Sequence, residues 1–230
     1  MDLKEMAARE AVKYVEEGMV VGLGSGTTAT IAIKLLGEKV RDGLTIIGIP
    51  TSKESEKVAE SMGIPIGELR AQPPVDLTID GADEVDPNLN LIKGLGGALV
   101  REKIVASHSN LEIIVADDSK MVERLGQKAP VPVEVLRFAH EATIGKLQKL
   151  GCACRVRFRN DQQFVTDNGN LIVDCRFTAI EDPKRLEAAI NMIPGVVDNG
   201  LFLGMADKVI LATSDGVKIL EKDAMLRRVT

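Results

Sequence analysis

Residues 18–28, Gly-Met-Val-Val-Gly-Leu-Gly-Ser-Gly-Thr-Thr (GMVVGLGSGTT), decide the fold class of this 230-residue chain. The first half is a short apolar run bounded by glycine, which is typical of a strand that is buried on both faces. A helical pattern follows directly, in "TTATIAIKLLGEKVR" at 27–41. A buried strand that leads straight into a helix is the start of a crossover unit with parallel strands, so the stretch predicts an α/β fold.

The same alternation continues through the first half of the chain. Further buried strands are predicted at 44–50 (LTIIGIP), 75–80 (VDLTID) and 111–117 (LEIIVAD). Further helices are predicted at 4–17, at 52–63 with Ser52 as its cap, and at 96–109. This order predicts a Rossmann-like domain over residues 1–127, with a mostly parallel, doubly wound sheet and helices on both of its faces.

The pattern changes after residue 127. Two prolines in "KAPVPVEV" (128–135) precede a predicted helix at 137–151 and a second one at 182–195, which has Asp182 as cap and Pro183 at its first position. Short strands are predicted at 152–158, 163–167 and 170–177, with a hairpin turn in "TDNGN" at 166–170. Residues 128–200 therefore predict a small antiparallel α+β unit.

One more buried strand, "KVILAT", follows at 208–213. We expect it to return to the first sheet, because it has the same continuous apolar character as the earlier buried strands. Residues 201–230 would then complete the first domain, and 128–200 would be an insertion in it.

Composition argues against several classes of function. The net charge is −5 and aromatic residues make up 3% of the chain with no Trp, so neither a basic field nor a base-stacking platform for nucleic acid is expected. No apolar run reaches the roughly 20 residues that span a bilayer, and the charged start "MDLKEMAARE" lacks the apolar segment of a signal peptide. We therefore expect a cytoplasmic protein without a membrane partner.

The three cysteines, Cys152, Cys154 and Cys175, all lie in the second half of the chain. Zinc sites usually take four ligands, often as paired Cys-x-x-Cys units, and this spacing does not provide them. We expect structural thiols, with a metal or redox role as the alternative. His108 and His140 have no partner at ligand spacing and are also expected to be structural.

Ligands of open parallel sheets bind beyond the carboxyl ends of the strands, and three unusual loops here each follow a predicted strand. The first is Gly22–Thr28, whose glycines, hydroxyls and helix-start amides suit an anion such as phosphate, with a tight turn as the alternative. It is neither a Walker loop nor a complete dinucleotide fingerprint, since position 27 is Thr. The second strand ends "IGIPTS" without the acid that a dinucleotide site needs.

The other two loops carry charged groups. "DGADEVD" at 80–86 has four acids in seven residues, which suits a metal, proton transfer or a turn. A turn accounts for Asp86 and less fully for Glu84, but not for Asp80 at the end of a strand. In "KGLGGALVREK" at 93–103 a lysine precedes a glycine run and a helix, and Glu102 lies about one turn into that helix. An exposed helix face is the alternative for Glu102.

In this order and spacing, the three loops resemble the ribose-5-phosphate isomerase A family. The resemblance covers essentially the whole chain and includes Lys4, "ADDSK" (116–120), "VPVEV" (131–135), "NLIVDC" (170–175) and "PGVVDNGLF" (194–202). It implies a Rossmann-like domain with an inserted ferredoxin-like α+β domain. It also implies an enzyme without cofactor or metal, assembled as a homodimer or homotetramer, that interconverts ribose 5-phosphate and ribulose 5-phosphate.

The resemblance also implies roles for individual residues. Glu102 would be the catalytic base, with Asp80, Asp83 and Lys93 as its companions in the site. The implied substrate contacts are Ser25, Gly26, Thr27, Thr28, Gly81, Ala82, Gly94, Leu95, Gly96, Lys120 and Lys4. Members of the family usually carry Gly where this chain has Leu95.

Three other interpretations remain open at this point. An amino-sugar phosphate deaminase or another sugar-phosphate isomerase would also pair a Gly-Ser/Thr loop with an acid-rich turn. A sugar-phosphate sensor would bind without chemistry, but the chain has no additional helix-turn-helix segment and is not basic. Clustered acids also suit Mg²⁺, although Lys93 supplies positive charge and proton transfer needs no metal.

Overall fold

The structure is a computed structural model that describes residues 2–70 and 74–221. Within these residues the α-helices are α1 Leu3–Ala11, α2 Thr27–Arg41, α3 Lys53–Ser61, α4 Leu99–Ser107, α5 His140–Gln148 and α6 Pro183–Asn191. Two short 3₁₀ helices cover Val12–Tyr14 and Asp118–Lys120. The strands are β1 Val20–Leu23, β2 Ile47–Pro50, β3 Leu77–Gly81, β4 Glu84–Val85, β5 Leu91–Ile92, β6 Glu112–Asp117, β7 Val131–Val135, β8 Ala153–Val156, β9 Phe158–Arg159, β10 Gln162–Gln163, β11 Leu171–Arg176, β12 Val196–Asn199, β13 Leu201–Phe202, β14 Lys208–Thr213 and β15 Gly216–Glu221.

Helix starts follow the capping residues that the sequence predicts. The Ser52 side chain accepts a hydrogen bond from the Ser55 amide (3.1 Å), and the Ser55 hydroxyl accepts one from the Ser52 amide (3.0 Å), so α3 begins with a capping box. Asp182 accepts from the Arg185 amide (3.0 Å), and Pro183 stands at the first position of α6. Both predicted caps are confirmed. Among the described helices, none has the length and apolar character required to cross a bilayer.

The chain folds into two compact units. The first contains the residues up to 82, residues 101–120 and those from 204 onwards. The second contains residues 83–100 and 121–203. Each unit has its own sheet, and the two are described separately below.

The first unit contains a six-stranded sheet in the order β15-β14-β6-β3-β1-β2. All neighbouring strands are parallel except the hairpin of β14 and β15, which is antiparallel. Strand β14 is the predicted "KVILAT" segment, and it pairs with β6 in register, so the expectation that it returns to the first sheet is confirmed. The chain is thus a mixed α/β protein with a mostly parallel central sheet.

Strand β1 is covered by helices on both faces of this sheet. Val21 and Leu23 point into the larger hydrophobic core, which α1, α2 and α3 complete. Gly22 points to the opposite face, where a Cβ atom would lie 1.8 Å from Thr78 Oγ1 and 2.9 Å from Val105 Cγ1 of α4. Helix α4 can therefore approach the sheet closely only because residue 22 has no side chain.

The second unit contains a four-stranded antiparallel sheet in the order β12-β7-β11-β8. Helix α5 connects β7 to the β8 region, and helix α6 connects β11 to β12. The hairpin turn predicted at 166–170 is present, with the Thr166 amide donating to the Asn170 carbonyl (2.9 Å). The antiparallel α+β character expected of this region is therefore found.

The strand predicted at 163–167 is largely wrong. Only the two-residue strand β10 and an isolated bridge at Val165 form in this region, and β10 pairs with β9 across Asn160-Asp161. Both turn residues have positive φ angles (51° and 60°), as a tight two-residue hairpin requires. The chain thus reverses before the expected strand. Two-residue strands β4, β5 and β13 form a further small sheet that was not predicted.

We predict that Gly22→Ala lowers the free energy of unfolding by about 1–3 kcal/mol, because the new methyl group overlaps Thr78 and Val105 in a packed interior. The matched control is Gly145→Ala in α5, where a Cβ meets nothing within 4 Å. That change should raise stability by about 0.5–1 kcal/mol through helix propensity. Urea unfolding curves measure both; equal effects of the two changes would contradict the packing described for β1.

Candidate active site

Asp80, at the end of β3 in the first unit, is held by backbone amides. One oxygen of its carboxylate, Oδ1, accepts hydrogen bonds from the Ser25 amide (3.0 Å) and the Gly81 amide (2.7 Å). The side chain is buried, at 1% exposed. A Cβ at Gly24 would lie 2.4 Å from Oδ1, so the loop after β1 can reach the carboxylate only with glycine at that position.

The loop between β1 and α2 carries features of an anion site. The Nζ atom of Lys4 donates to the Thr27 hydroxyl (3.0 Å) at the first residue of α2. Gly26 precedes this helix with φ 90° and supplies no capping side chain. Amides in the first turn of a helix lack intrahelical acceptors and carry the positive end of the helix dipole. The ammonium group and these amides together favour an anion such as phosphate at this point.

The Ser25 hydroxyl is bound to a different loop from the one that contains it. Its hydroxyl hydrogen-bonds the hydroxyls of Thr51 and Ser52, both at 2.8 Å, and Ser52 caps α3. These bonds fix the side chain of Ser25 to the loop after β2. Thr27 is exposed and Thr28 is half-buried. The loop after β1 is therefore anchored through Ser25, while Thr27 contacts Lys4.

Glu102 and Lys120 also belong to the first unit. Glu102 is 4% exposed in α4, so the alternative of an exposed helix face does not hold. Val105, three residues further along α4, packs against β1 at Gly22, and residues three apart share a helix face. Lys120 is half-buried in the 3₁₀ helix that follows β6, which is the neighbour of β3 in the sheet.

Asp83 and Lys93 lie in the second unit, at the ends of the short strands β4 and β5. The Asp83 amide donates to the Ile92 carbonyl (2.8 Å), and the Lys93 amide donates to the Gly200 carbonyl (2.9 Å). Lys93 is 2% exposed, and its Nζ atom lies 5.4 Å from the centroid of the Phe202 ring, which is within cation–π range. The small sheet of β4, β5 and β13 thus fixes the backbone of both residues.

The glycine loop after Lys93 is a tight turn closed by backbone contacts. The Gly97 amide donates to the Gly94 carbonyl (3.0 Å), and Gly94 has φ 98°. The Leu95 amide donates to the Asp83 carboxylate (2.9 Å), whereas the Leu95 side chain is 41% exposed. Residue 95 is outside the set of described non-glycine residues with positive φ, so a leucine fits this backbone without strain. Gly96 is exposed.

Arg157 is a contact of the glycine loop that the sequence analysis missed. Its Nη1 atom donates to the carbonyls of Gly94 and Leu95, both at 2.8 Å, and its Nε and Nη2 atoms bind the two carboxylate oxygens of Asp174. The Arg157 guanidinium is therefore a clamp: Asp174 fixes its orientation through two hydrogen bonds, and its remaining donor group holds the carbonyls of the glycine loop. More than 60 residues separate it from the loop, and only the presence of Asp174 in the "NLIVDC" motif pointed to this region.

Glu84, in the acid-rich stretch, has a structural role. Its carboxylate is fully buried and accepts hydrogen bonds from the amides of Gly126 (2.6 Å), Ala129 (2.6 Å) and Lys128. A turn was a partial explanation for Glu84, but the residue lies in strand β4. It fixes a segment about 45 residues further along the chain.

Asp86 does form the predicted turn. Its carboxylate accepts from the amides of Asn88 (2.9 Å) and Asn90 (2.8 Å) and from the Asn90 side chain (3.0 Å). The carboxylates of Glu84 and Asp86 thus accept hydrogen bonds from backbone amides, which leaves Asp80 and Asp83 as the acids of this stretch with a candidate chemical role. Within the described residues, the ligand-type side chains that gather in a group of three are cysteines, not these acids.

The structure gives each predicted residue a definite place. In the first unit, Asp80 contacts Ser25 and Gly81, Lys4 contacts Thr27, and Gly81 and Ala82 follow Asp80 half-buried. In the second unit, Asp83, Lys93 and the loop at 94–96 are connected through β4, β5 and the Leu95 amide. The residue set is therefore organised as two groups, one in each unit.

Known proteins resemble this chain over nearly its full length. The sequence model of ribose 5-phosphate isomerase A (phosphoriboisomerase A) matches residues 47–216. A relative from Gloeobacter violaceus named ribose-5-phosphate isomerase A is 54% identical over 223 residues, which cover 96% of this chain and 97% of that protein. Another with the same name, from Pyrococcus abyssi, is 45% identical and covers 96% of this chain and 98% of its own.

Solved structures show the same likeness. Ribose 5-phosphate isomerase A from Methanocaldococcus jannaschii superposes with a TM-score of 0.92 at 45% identity, covering 96% of this chain and 99% of that one. The enzyme from Plasmodium falciparum gives 0.94 at 43% identity, with 96% and 98% coverage. A D-ribose-5-phosphate isomerase in complex with phospho-erythronic acid gives 0.93 at 45% identity, with 96% and 100% coverage. This chain therefore belongs to the ribose 5-phosphate isomerase A family.

Proposed function

We propose that this protein interconverts D-ribose 5-phosphate and D-ribulose 5-phosphate without a cofactor, in the non-oxidative branch of the pentose phosphate pathway. The observation that carries the proposal is similarity over 96% of the chain to proteins named ribose-5-phosphate isomerase A. A structural relative was solved with phospho-erythronic acid, which is a phosphorylated sugar acid and supports a sugar phosphate as ligand. The anion-favouring contact of Lys4 with Thr27 agrees with a phosphate group.

Glu102 is the proposed base of the proton transfer. Aldose–ketose exchange removes a proton from C2 and returns it at C1, or the reverse, and one carboxylate above both carbons can do both steps. A base acts best when its pKa lies near the working pH, and the buried position of Glu102 limits its access to water. The intermediate is an enediolate, in which negative charge develops on an oxygen.

Lys93 is the proposed stabiliser of that charge. An ammonium group stabilises a developing oxyanion best where water is excluded, and Lys93 is 2% exposed. Asp80 is the proposed agent of sugar ring opening, which needs a proton moved between the ring oxygen and a hydroxyl. Asp83 is proposed to orient the reacting groups, because its carboxylate already holds the Leu95 amide beside Lys93.

The phosphate is proposed to lie at the start of α2. Lys4, Ser25–Thr28 and Lys120 would hold it, with Lys4 and the helix amides as the main donors. Gly81, Ala82 and the loop of Gly94, Leu95 and Gly96 are proposed to contact the sugar. Their backbone groups lie beside Asp80 and Lys93 in the chain.

Four finer features belong to the same proposal. Residues 128–200 are proposed to be a ferredoxin-like insertion into a Rossmann-like domain of residues 1–127 and 201–230. The order β12-β7-β11-β8, with a helix after its first and third strands in the chain, supports this. A homodimer or homotetramer and a cytoplasmic location are proposed as well.

We predict that Glu102→Gln lowers kcat by about 10²–10⁴-fold, because the amide cannot accept the C2 proton. Calorimetric binding of phospho-erythronic acid should change little, since the replacement preserves the size of the side chain. Conversion of ribose 5-phosphate to the ketopentose in a coupled assay measures the rate. Glu60→Gln, an exposed change in α3, is the matched control and should keep full activity.

The same assay separates the rival functions. A sensor would bind ribose 5-phosphate with no ketopentose formed by the unaltered chain, and a deaminase would release ammonia only from an amino sugar. Full activity of the Glu102→Gln protein would exclude that residue as the base.

We predict that Lys4→Met raises KM for ribose 5-phosphate by about 10–100-fold, with a smaller effect on kcat. A hydrogen bond to a charged group contributes about 1.5–3 kcal/mol, and this one would be made equally to substrate and transition state. Lys13→Met, which removes an exposed ammonium nearby in the sequence, is the control. A pure kcat effect at Lys4 would instead contradict a role in phosphate binding.

Arg157 is predicted to act as a positioning residue. Arg157→Ala removes the clamp on the Gly94 and Leu95 carbonyls, and kcat/KM should fall by about 10–100-fold because loop misplacement of about 1 Å has effects of this size. Added guanidinium at non-denaturing concentration should restore part of the activity. Arg124→Ala, at an exposed ion pair, should show neither loss nor rescue. The clamp would be disproved if guanidinium did not restore activity and the hydrogen exchange of the loop amides were the same in the variant as in the unaltered protein.

A further inference from the structure

Three cysteine side chains meet inside the second unit, and none of them belongs to the proposed active site. Cys154 in β8 stands opposite Cys175 in β11, in the register of the antiparallel pair. Cys152 precedes Cys154 by two residues, and residues two apart in an extended chain point to the same face. Strand pairing therefore directs all three thiols to one point, whereas the sequence analysis favoured structural thiols and kept a metal or redox role as the alternative.

The sulfur positions match the dimensions of a metal site. The Sγ atoms of Cys152 and Cys154 are 3.5 Å apart, and those of Cys154 and Cys175 are 3.7 Å apart. All three sulfurs lie within 4.8 Å of one another. An ion bound by three thiolates at about 2.3 Å each holds its sulfurs about 4 Å apart in a planar arrangement. The separations of Cys154 from the other two sulfurs lie slightly below this value.

The Cys154 thiol is also hydrogen-bonded to the other two thiols. Hydrogen bonds with the Cys175 thiol first, and with Cys152, lower the pKa of Cys154 to about 7 against the opposing effect of burial. Hydrogen bonds with Cys152 and Cys154, together with burial, raise the pKa of Cys175, which thus acts as the donor. The thiolate is the form of cysteine that binds metals. An incoming cation would displace the proton of Cys175.

The surroundings select the type of ion. Cys152 and Cys175 are buried in the hydrophobic core of the second unit, and Cys152 also donates to the Leu147 carbonyl (3.3 Å) at the end of α5. Sulfur ligands in apolar surroundings prefer soft cations over Mg²⁺ or Ca²⁺, which require oxygen ligands. Cys154 is only half-buried and gives the site a route to solvent.

We propose that Cys152, Cys154 and Cys175 form a binding site for one thiophilic d¹⁰ cation per chain, either Cu(I) in three-coordinate form or Zn(II) with a water as fourth ligand. The bound ion would join β8 to β11 through side chains, in addition to their backbone ladder. The three cysteines are not among the residues of the proposed isomerase site.

The full-length protein, reduced and kept anaerobic, is titrated separately with Cu(I) and with Zn(II). We expect one equivalent to bind, to give a thiolate-to-metal charge-transfer absorption with Cu(I), and to raise Tm, as ligands of the native state do. X-ray absorption at the metal edge should report about three sulfurs near 2.3 Å. The two dissociation constants are then compared. Tighter binding of Cu(I) indicates the three-coordinate site, and tighter binding of Zn(II) indicates the four-coordinate one.

Cys154→Ser is expected to weaken binding at least 100-fold, whereas Ala153→Ser, the neighbouring exposed position of β8, should leave it unchanged. Circular dichroism and isomerase activity check that both variants are folded. The site would be overturned if the unaltered protein bound neither ion, or if Cys154→Ser bound as tightly as the unaltered protein. It would also be overturned if X-ray absorption showed mainly nitrogen or oxygen ligands.

Discussion

Two hydrogen bonds, from the peptide amides of Ser25 and Gly81 to the Asp80 carboxylate, are the interaction on which the carboxyl edge of the first unit's sheet depends. A buried carboxylate without donors is costly, so the loop after β1 must come close to the end of β3. Gly24 allows that approach because it has no side chain. Once Ser25 is fixed there, its hydroxyl reaches Ser52 and connects the loop to the cap of α3.

In the second unit, too, charged side chains bind the peptide groups of a loop. Asp83 and Arg157 bind peptide groups of the loop at 94–97, which has neither helix nor strand to satisfy its polar backbone. Buried backbone groups need partners, and charged side chains provide strong ones. Rigid placement of such a loop is what a site needs if the adjacent Lys93 is to meet a developing charge without reorganisation.

The sequence was informative wherever a local rule determines geometry. Continuous apolar runs give parallel strands, and parallel strands end at one edge, so Asp80 and the loop after β1 could be assigned to the same edge of the sheet. Ser52 and Asp182 could be recognised as caps because capping acts over three residues. The turn at Asp86 follows from equally local chemistry.

Contacts between distant segments were beyond reach from one sequence. Arg157 reads as an ordinary strand residue, and its contact with Gly94 depends on strand pairing that no local pattern encodes. The hairpin at Asn160-Asp161 lacks the glycine that usually marks such turns, so the strand at 163–167 was placed too late. The convergence of the cysteines likewise needs the register of β8 and β11.

The Glu84 carboxylate recognises main-chain groups alone, and this affects how the chain can vary over evolution. The amides of Lys128 and Ala129 are the same for every residue type except proline, so these two hydrogen bonds do not depend on the side chains there, and residue 129 is limited instead by its packing in the hydrophobic core. Gly126 is constrained separately, because its φ of 87° suits glycine. One glutamate thus fixes a stretch that has no regular structure of its own through bonds that carry no side-chain requirement.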